Sequence, residues 1–392
     1  SSDLDWRSVK AHNRIGDEYR IPPGTVVTIP VRLLKSVQLA ARIISFKGTG
    51  RVEMAGKASA VAVGMQILPG NVIETGATSF VTLELSNGSR ISLPSQTRIR
   101  ITAMRRFLLT DSVDFDFLVE KGRIETNATP LENEQGRYRI RTPIAVSAVR
   151  GTTFRVAYDG EDKPSLTEVI EGNVGVNAGR NADETSVAAG FGAGVGMGGR
   201  IITESLLAPP QLLEPGKVQV DPLVSLMLEP TVGARAYHAQ LARDAGFVEI
   251  VQESYSDTPK LNFSDVGNGR WFVRITAIAA SGLEGMPQTY AMRRVLTGLE
   301  ASTEVDEDGY RFRWSGSGSG KRIYHFRLRP DRTGAPPLID EPGLTAGQVT
   351  LSDLPPGKYF WRVGVTQYSD GEESVNWLPE QSLIVSRGET AH

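Results

Sequence analysis

Short runs rich in Val, Ile, Thr, Phe and Tyr recur along this 392-residue chain, cut at brief intervals by Pro-Gly, Asn-Gly and Asp-Gly. That punctuation constrains it to consecutive antiparallel β domains, because convincing helical periodicity is scarce. Residues 80–85 read Phe-Val-Thr-Leu-Glu-Leu, and Arg90 to Leu93 answer them across Asn87-Gly88, a strong short hairpin signal. Farther on, acids alternate with Phe115, Phe117 and Val119, which implies one apolar and one carboxylate face. Gly122 is then expected to turn the chain into Arg123-Ile-Glu-Thr126. The length allows two to four domains, each with its own core.

Composition removes several function classes. With 43 basic and 45 acidic residues the formal net charge is −2, so no bulk field draws the chain onto nucleic acid or an anionic membrane. Cys is absent, which excludes disulfides, thiol nucleophiles and cysteine metal sites. No uncharged apolar stretch approaches the roughly 18 residues of a membrane-spanning helix. Ser1-Ser-Asp lacks a basic-then-apolar leader, so the chain is expected to be a mature or trimmed soluble form that does not span a membrane.

Three blocks carry a family resemblance. They are Pro69-Gly-Asn-Val-Ile-Glu-Thr-Gly76, Leu83-Glu-Leu-Ser-Asn-Gly-Ser-Arg-Ile-Ser-Leu93 and Thr142-Pro-Ile-Ala-Val-Ser-Ala-Val-Arg-Gly-Thr-Thr-Phe-Arg-Val156. In this order they resemble a FecR domain over roughly residues 55–200, with Gly76, Gly88, Arg150, Gly151, Thr152 and Phe154 at motif positions. The resemblance implies a β-rich envelope module for sensing or scaffolding, not catalysis. Gly151 interrupts a strand-forming run, so it is expected to hold a conformation or a close contact that side chains cannot reach. Arg150 is expected to brace the adjacent turn by hydrogen bonds rather than to bind an anion.

The first thirty residues carry a second resemblance. Trp6-Arg-Ser-Val-Lys-Ala-His-Asn13, Ile15 and Tyr19-Arg-Ile-Pro-Pro-Gly-Thr-Val-Val-Thr-Ile-Pro30 resemble the second helix and closing strand of a LysM module. Asn13, Ile21, Pro23, Gly24 and Ile29 fall at motif positions, and the first four are candidate glycan contacts. The resemblance implies peptidoglycan attachment, although the module's opening strand and first helix have no counterpart, which leaves one wall of a sugar groove.

Other constellations read as structural. Asp111, Asp114 and Asp116 invite calcium, but an alternating strand spreads its ligands instead of converging them, so a solvated strand face is expected. Gly194, Gly196 and Gly199 spell G-x-G-x-x-G, yet Arg200-Ile-Ile-Thr and Pro209-Pro210 follow where a nucleotide site needs a helix. A glycine-rich strand or hairpin closing the FecR-like body is expected there. The histidines are His12, His238, His325 and His392, and no catalytic motif surrounds them. No cofactor or metal site is read.

Pro density after Leu206 marks a linker, and beyond it the chain repeats. Residues 261–276 align with 349–364: Ser264 and Ser352 lie 88 residues apart, as do Gly269 and Gly357, while Tyr237-His238 returns as Tyr324-His325 after 87. The strand pair resembles fibronectin type III domains, with Trp271 or Tyr359, Val273 or Trp361 and Ile275 or Val363 facing an intersheet space. The fold class is therefore mainly β: a LysM-like α/β segment at 1–33, a FecR-like roll or sandwich at 34–205, a linker at 206–216, and immunoglobulin- or fibronectin-like sandwiches at 217–299 and 300–392. Truncation near Gly216 is expected to leave a folded body. The expected function is a non-enzymatic scaffold or adaptor in a Gram-negative periplasm or envelope, binding peptidoglycan or another glycan and an envelope protein. The alternatives are a FecR-type signalling regulator with its membrane anchor elsewhere, or a surface polysaccharide-binding protein.

Overall fold

In a computed structural model, the described residues are 5–179, 183–306, 309–332, 334–369 and 371–386. His392 lies outside them. The chain divides into two compact units, the first comprising residues 1–211, 228–259 and 272–289, the second 212–227, 260–271 and 290–392. Both are β structures.

In the first unit the strands from Ser36–Gln38 to Ile201–Ser205 form one closed hydrogen-bonded array. Its core gathers the alternate apolar residues of successive strands, among them Ile43, Leu83, Ile91, Phe115, Phe117, Phe154, Val156 and Val174. The Asn87-Gly88 hairpin forms, with Val81 paired to Leu93 and Glu84 to Arg90, but around a three-residue loop, Ser86 to Gly88, in which Gly88 takes a positive φ of +82°. Gly190–Gly199 supplies a strand, Phe191–Val195, between Ser165–Glu171 and Ile201–Ser205, so its glycines serve a sheet and not a phosphate.

Two expectations about the strand after Ser112 are corrected. Gly122 does not turn the chain back. Strand Val113–Asn127 runs through it, pairing first with Arg98–Phe107 and then with Thr153–Tyr158 and Arg90–Leu93. Gly122, at φ +89° and beside a register shift, bends the strand between sheets where a Cβ would come within 2.7 Å of Thr97 Cα. Nor are the acids a solvated face, because Asp114 and Asp116 are buried. The parallel strand Arg137–Arg141 and the antiparallel neighbour lay arginines over them: Arg105 and Arg139 reach Asp114 at 2.8 and 3.0 Å, and Arg139 and Arg141 reach Asp116 at 3.0 and 2.6 Å. The guanidinium groups replace water as the carboxylates' partners. Asp111 stays apart and exposed, 3.3 Å from Arg106.

A second sheet completes this unit. Strand Ala236–Ala242 pairs with Ile250–Ser256 on one side and with residues 272–278 of strand Gly269–Ile278 on the other. Ala242, Phe247 and Ile250 pack with Phe80 of the body, and Leu283 packs with Ala157 and Leu166. Thr82 donates to the Val248 carbonyl at 2.8 Å.

At the N-terminus, helix Trp6–His12 forms, but residues 21–30 adopt no strand, so the closing strand implied by the LysM resemblance is absent. Pro22, Pro23 and Pro30 remove backbone donors from that stretch, which leaves little for a strand ladder.

In the second unit, strands Glu300–Asp306, Gly309–Ser315 and Gln348–Leu351 make one sheet. Strands Lys321–Pro330, Ile339–Leu344, Gly357–Ser369, Glu372–Trp377 and Gln381–Val385 make another. Phe312, Trp314, Phe326, Leu328, Tyr359, Trp361, Val363 and Val365 are buried together as its core. The internal repeat is visible in register. His238 pairs with Thr276 and His325 with Gly364, and 364 − 276 = 88. Trp271 Nε1 donates to the Gly267 carbonyl at 2.9 Å, and Tyr359 Oη donates to the Pro355 carbonyl at 2.7 Å. Both aromatic residues close the same four-residue corner, again 88 positions apart.

Candidate functional site

The densest chemistry in the first unit lies where strands of the body meet the sheet built on Ala236–Ala242. Arg123 and Glu125 sit beyond the Gly122 bend of the long strand, and Arg155 and Glu168 come from the neighbouring strands Thr153–Tyr158 and Ser165–Glu171. Alternation in each strand turns Phe154 and Val156 to the core and sends Arg155 to the opposite face. His238 and Glu253 come from the paired strands of the second sheet, and Glu284 from the segment after Ile278.

Glu284 is the hub. Its Oε2 lies 2.7 Å from Arg155 Nη1 and 2.8 Å from Arg123 Nη1, and its Oε1 lies 2.7 Å from His238 Nδ1. Arg155 Nη2 also donates to the backbone carbonyls of Glu284 and Gly285 at 3.1 and 2.6 Å. Glu168 accepts the Glu284 N–H at 3.1 Å but stands 3.6 and 3.7 Å from the two guanidinium groups. His238 Nε2 faces Glu253 Oε2 at 3.3 Å, and its ring stacks on Tyr255 with centroids 4.1 Å apart. Arg274 links the edge, 2.6 Å from both Glu125 and Gln240.

Burial and partners act oppositely on these groups. Burial raises Glu284, but Arg123, His238 and Arg155 outweigh it and hold its carboxyl well below the usual range. Burial also raises Glu168, and there the more distant guanidinium groups do not overcome it, so Glu168 ends above its ordinary value. Burial depresses His238, yet Glu284 and Glu253 reverse this and raise it, which favours the imidazolium. Two carboxylates share one pair of arginines, and the closer one keeps the charge.

This arrangement fastens strands together. Both ring nitrogens of His238 are engaged by carboxylates, and the void beside the cluster, about 20 Å³, admits roughly one water. Among the described residues no group of His, Asp and Glu is arranged to hold a metal.

The residues singled out in the sequence do not converge on it. Asn13 donates to the carbonyls of Val9 and Thr28 at 2.9 and 2.7 Å and accepts from the Thr28 N–H at 2.8 Å, stapling the helix end to the following loop. Ile21 is half-buried, Pro23 is exposed, and Gly24 takes a turn at φ +85° with open space around it, so these positions form no groove. Gly76 lies against Thr49, Phe154 is in the core, and Thr152 is buried with its carbonyl accepting from Ala128. Gly151 has φ +137° and a Cβ there would be 2.7 Å from Pro130 Cα, so it holds both a conformation and a contact reserved for glycine. Arg150 donates to the Glu134 carbonyl at 2.6 Å, a tie to a loop 16 residues earlier and not to the turn beside it. Arg155, next to Phe154, and Glu168 were missed. Their signal was a charged residue within otherwise buried strand runs, and it needed the opposing sheet to become meaningful.

Comparison with known proteins bears on the body. Residues 71–175 match the family model described as FecR protein. A comparison with curated proteins finds no match. Two crystal structures of a candidate anti-sigma factor from Parabacteroides distasonis are similar at 20% identity over 34% of this chain, with TM-scores of 0.29 and 0.28. The chain spans 59% of their length. A two-domain fibronectin type III segment of chicken tenascin is similar at 14% identity over 46% of this chain and 100% of that one, with a TM-score of 0.21. The matched segment holds Arg123, Arg155 and Glu168, while His238, Glu253 and Glu284 lie beyond it. Residues 71–175 thus match the FecR family model within a longer β chain, and the buried cluster ties that segment to the sheet that follows.

Proposed function

We propose that this chain is a non-catalytic FecR-type regulator of the bacterial envelope, periplasmic in location, which acts by binding a protein partner. The observation that carries the reading is the FecR match over residues 71–175, which coincides with the central strands of the closed body. The cluster supports it: its ionisable groups are spent on one another, as suits a rigid element that transmits binding and not one that transforms a substrate. The fibronectin-like reading of residues 217–299 and 300–392 is part of the proposal, with the body at 34–205 and the sheet built on Ala236–Ala242 acting as one unit. Attachment to peptidoglycan through residues 1–33 draws no support from Asn13, Ile21, Pro23 and Gly24, which staple or turn the chain.

Transcript profiling tests the regulator. Deleting the gene should alter a small, defined set of transcripts, and restoring the chain should return them. Unchanged transcripts together with an altered peptidoglycan composition would favour the scaffold and remove the regulatory reading.

A further inference from the structure

The outer face of the larger sheet in the second unit carries a ladder of cations and rings. Strand alternation sends Tyr324, Phe326 and Leu328 inward and leaves His325, Arg327 and Arg329 outside; on Gly357–Ser369 it leaves Lys358, Phe360 and Arg362 outside. The Arg362 guanidinium lies 4.6 Å from the centre of the Trp377 ring, and Arg327 lies 5.7 Å from it. Arg329 and Lys358 lie over Phe360 at 4.6 and 4.9 Å. Gly364 makes room, since a Cβ there would come within 2.6 Å of the Trp377 ring.

Two features of this face are unexplained by its own stability. Arg327 and Arg362 stand directly opposite in register, a like-charge pairing that destabilises a sheet. Moreover Arg327, Arg329 and Lys358 have carboxylate partners in Asp340, Glu380 and Asp331 at 2.9, 2.6 and 3.1 Å, but Arg362 has no ion pair among the described residues, and its buried Nε lacks a hydrogen-bond partner. Stacking occupies the flat faces of the guanidinium groups; Arg327 and Arg329 spend Nε and Nη2 on Asp340 and Glu380, whereas the edge of Arg362 is left for a planar anion.

We propose that this face docks an extended acidic segment of a protein partner, with carboxylates at alternate positions. Side chains on one face of an extended segment repeat at roughly 7 Å, which is the spacing of Arg327 and Arg329 along their strand. Neutral sugars fit poorly, because the rings they would stack on already carry cations. Docking replaces Asp340 and Glu380, which hold Arg327 and Arg329 through two donors each, and Asp331 on Lys358 with the partner's carboxylates, while the edge of Arg362 takes a carboxylate without exchange. This inference goes beyond the regulatory reading and stands without it: transcripts test regulation, and peptide binding tests the face.

The test titrates the full chain into a labelled peptide of alternating Glu and Thr, followed by fluorescence anisotropy. Controls are the same peptide with Gln for Glu, a peptide of equal composition with its Glu in one block, and a heparin fragment. The alternating peptide should bind tightest and weaken with salt, and Arg362→Gln should weaken it about tenfold, as loss of a charged hydrogen-bonding group does. Arg329→Gln, which leaves Trp377 and its stacked arginines in place, should weaken it as well and carries the test should the first variant fail to fold. Equal binding of the Gln peptide, preference for the block peptide or for heparin, or unchanged affinity in both variants overturns the proposal.

Discussion

Replacing Glu284 with Gln separates the two carboxylates of the cluster. The wild-type side chain takes contacts of 2.7, 2.8 and 2.7 Å from Arg155, Arg123 and His238, all largely buried. The amide keeps one acceptor, introduces a donor facing guanidinium groups, and leaves two buried cations to Glu168 at 3.6 Å or more. Breaking a buried charge pair by removing one partner costs about 3–5 kcal/mol, so Glu284→Gln should cost about 3 kcal/mol. Glu168→Gln should cost less than about 1 kcal/mol, because this carboxyl is pushed above its ordinary value and its Oε2 has no hydrogen-bond partner. Urea unfolding read by hydrogen exchange in strand Thr153–Tyr158 measures both. Equal costs, or a larger cost for Glu168→Gln, would refute the assignment of the charge to Glu284.

Two further outcomes follow from the same geometry. The folded pKa of His238 is raised, so its stabilisation is full below the ordinary value of 6.5 and fades as pH rises through the folded value. Stability of the first unit should therefore decline above pH 6.5, and thermal melts of His238→Gln should lack that decline; a parallel decline in both proteins would mean another group titrates. Gly151→Val should destabilise the body by more than about 1 kcal/mol, because it adds a Cβ at a positive φ and against Pro130, and a neutral result in chemical denaturation would contradict the need for glycine there.

The sequence made local pairing legible where turn chemistry is unambiguous. Asn87-Gly88 marked a hairpin, although the register leaves a three-residue loop, Ser86 to Gly88, between Leu85 and Ser89, with only Gly88 at positive φ. The 88-residue period anticipated shared strand register and the equivalent corners closed by Trp271 and Tyr359. Gly122 shows the limit: a glycine in a strand run marks a special backbone position, but whether it is a turn or a bend depends on Thr97, which only the tertiary fold brings close. Asp114 and Asp116 looked solvated because alternation predicts a second face without saying what covers it, and the parallel partner Arg137–Arg141 lies more than twenty residues downstream. The cluster was the least legible part, since Arg123, Arg155 and Glu168 meet His238 and Glu284 only through contacts more than a hundred residues apart for Arg155 and Glu284.

Truncation after Gly216 tests most directly the claim that the FecR-matching body and the sheet after it act as one unit. The shortened chain would leave Arg123, Arg155 and Glu168 without Glu284, and Phe80 without Ala242, Phe247 and Ile250. Hydrogen exchange in strand Thr153–Tyr158 should therefore report a body that opens far more readily than in the full chain, with a lower thermal midpoint. A truncated body with undiminished protection and the same cooperative melt would contradict the account and restore a boundary at the Pro-rich linker.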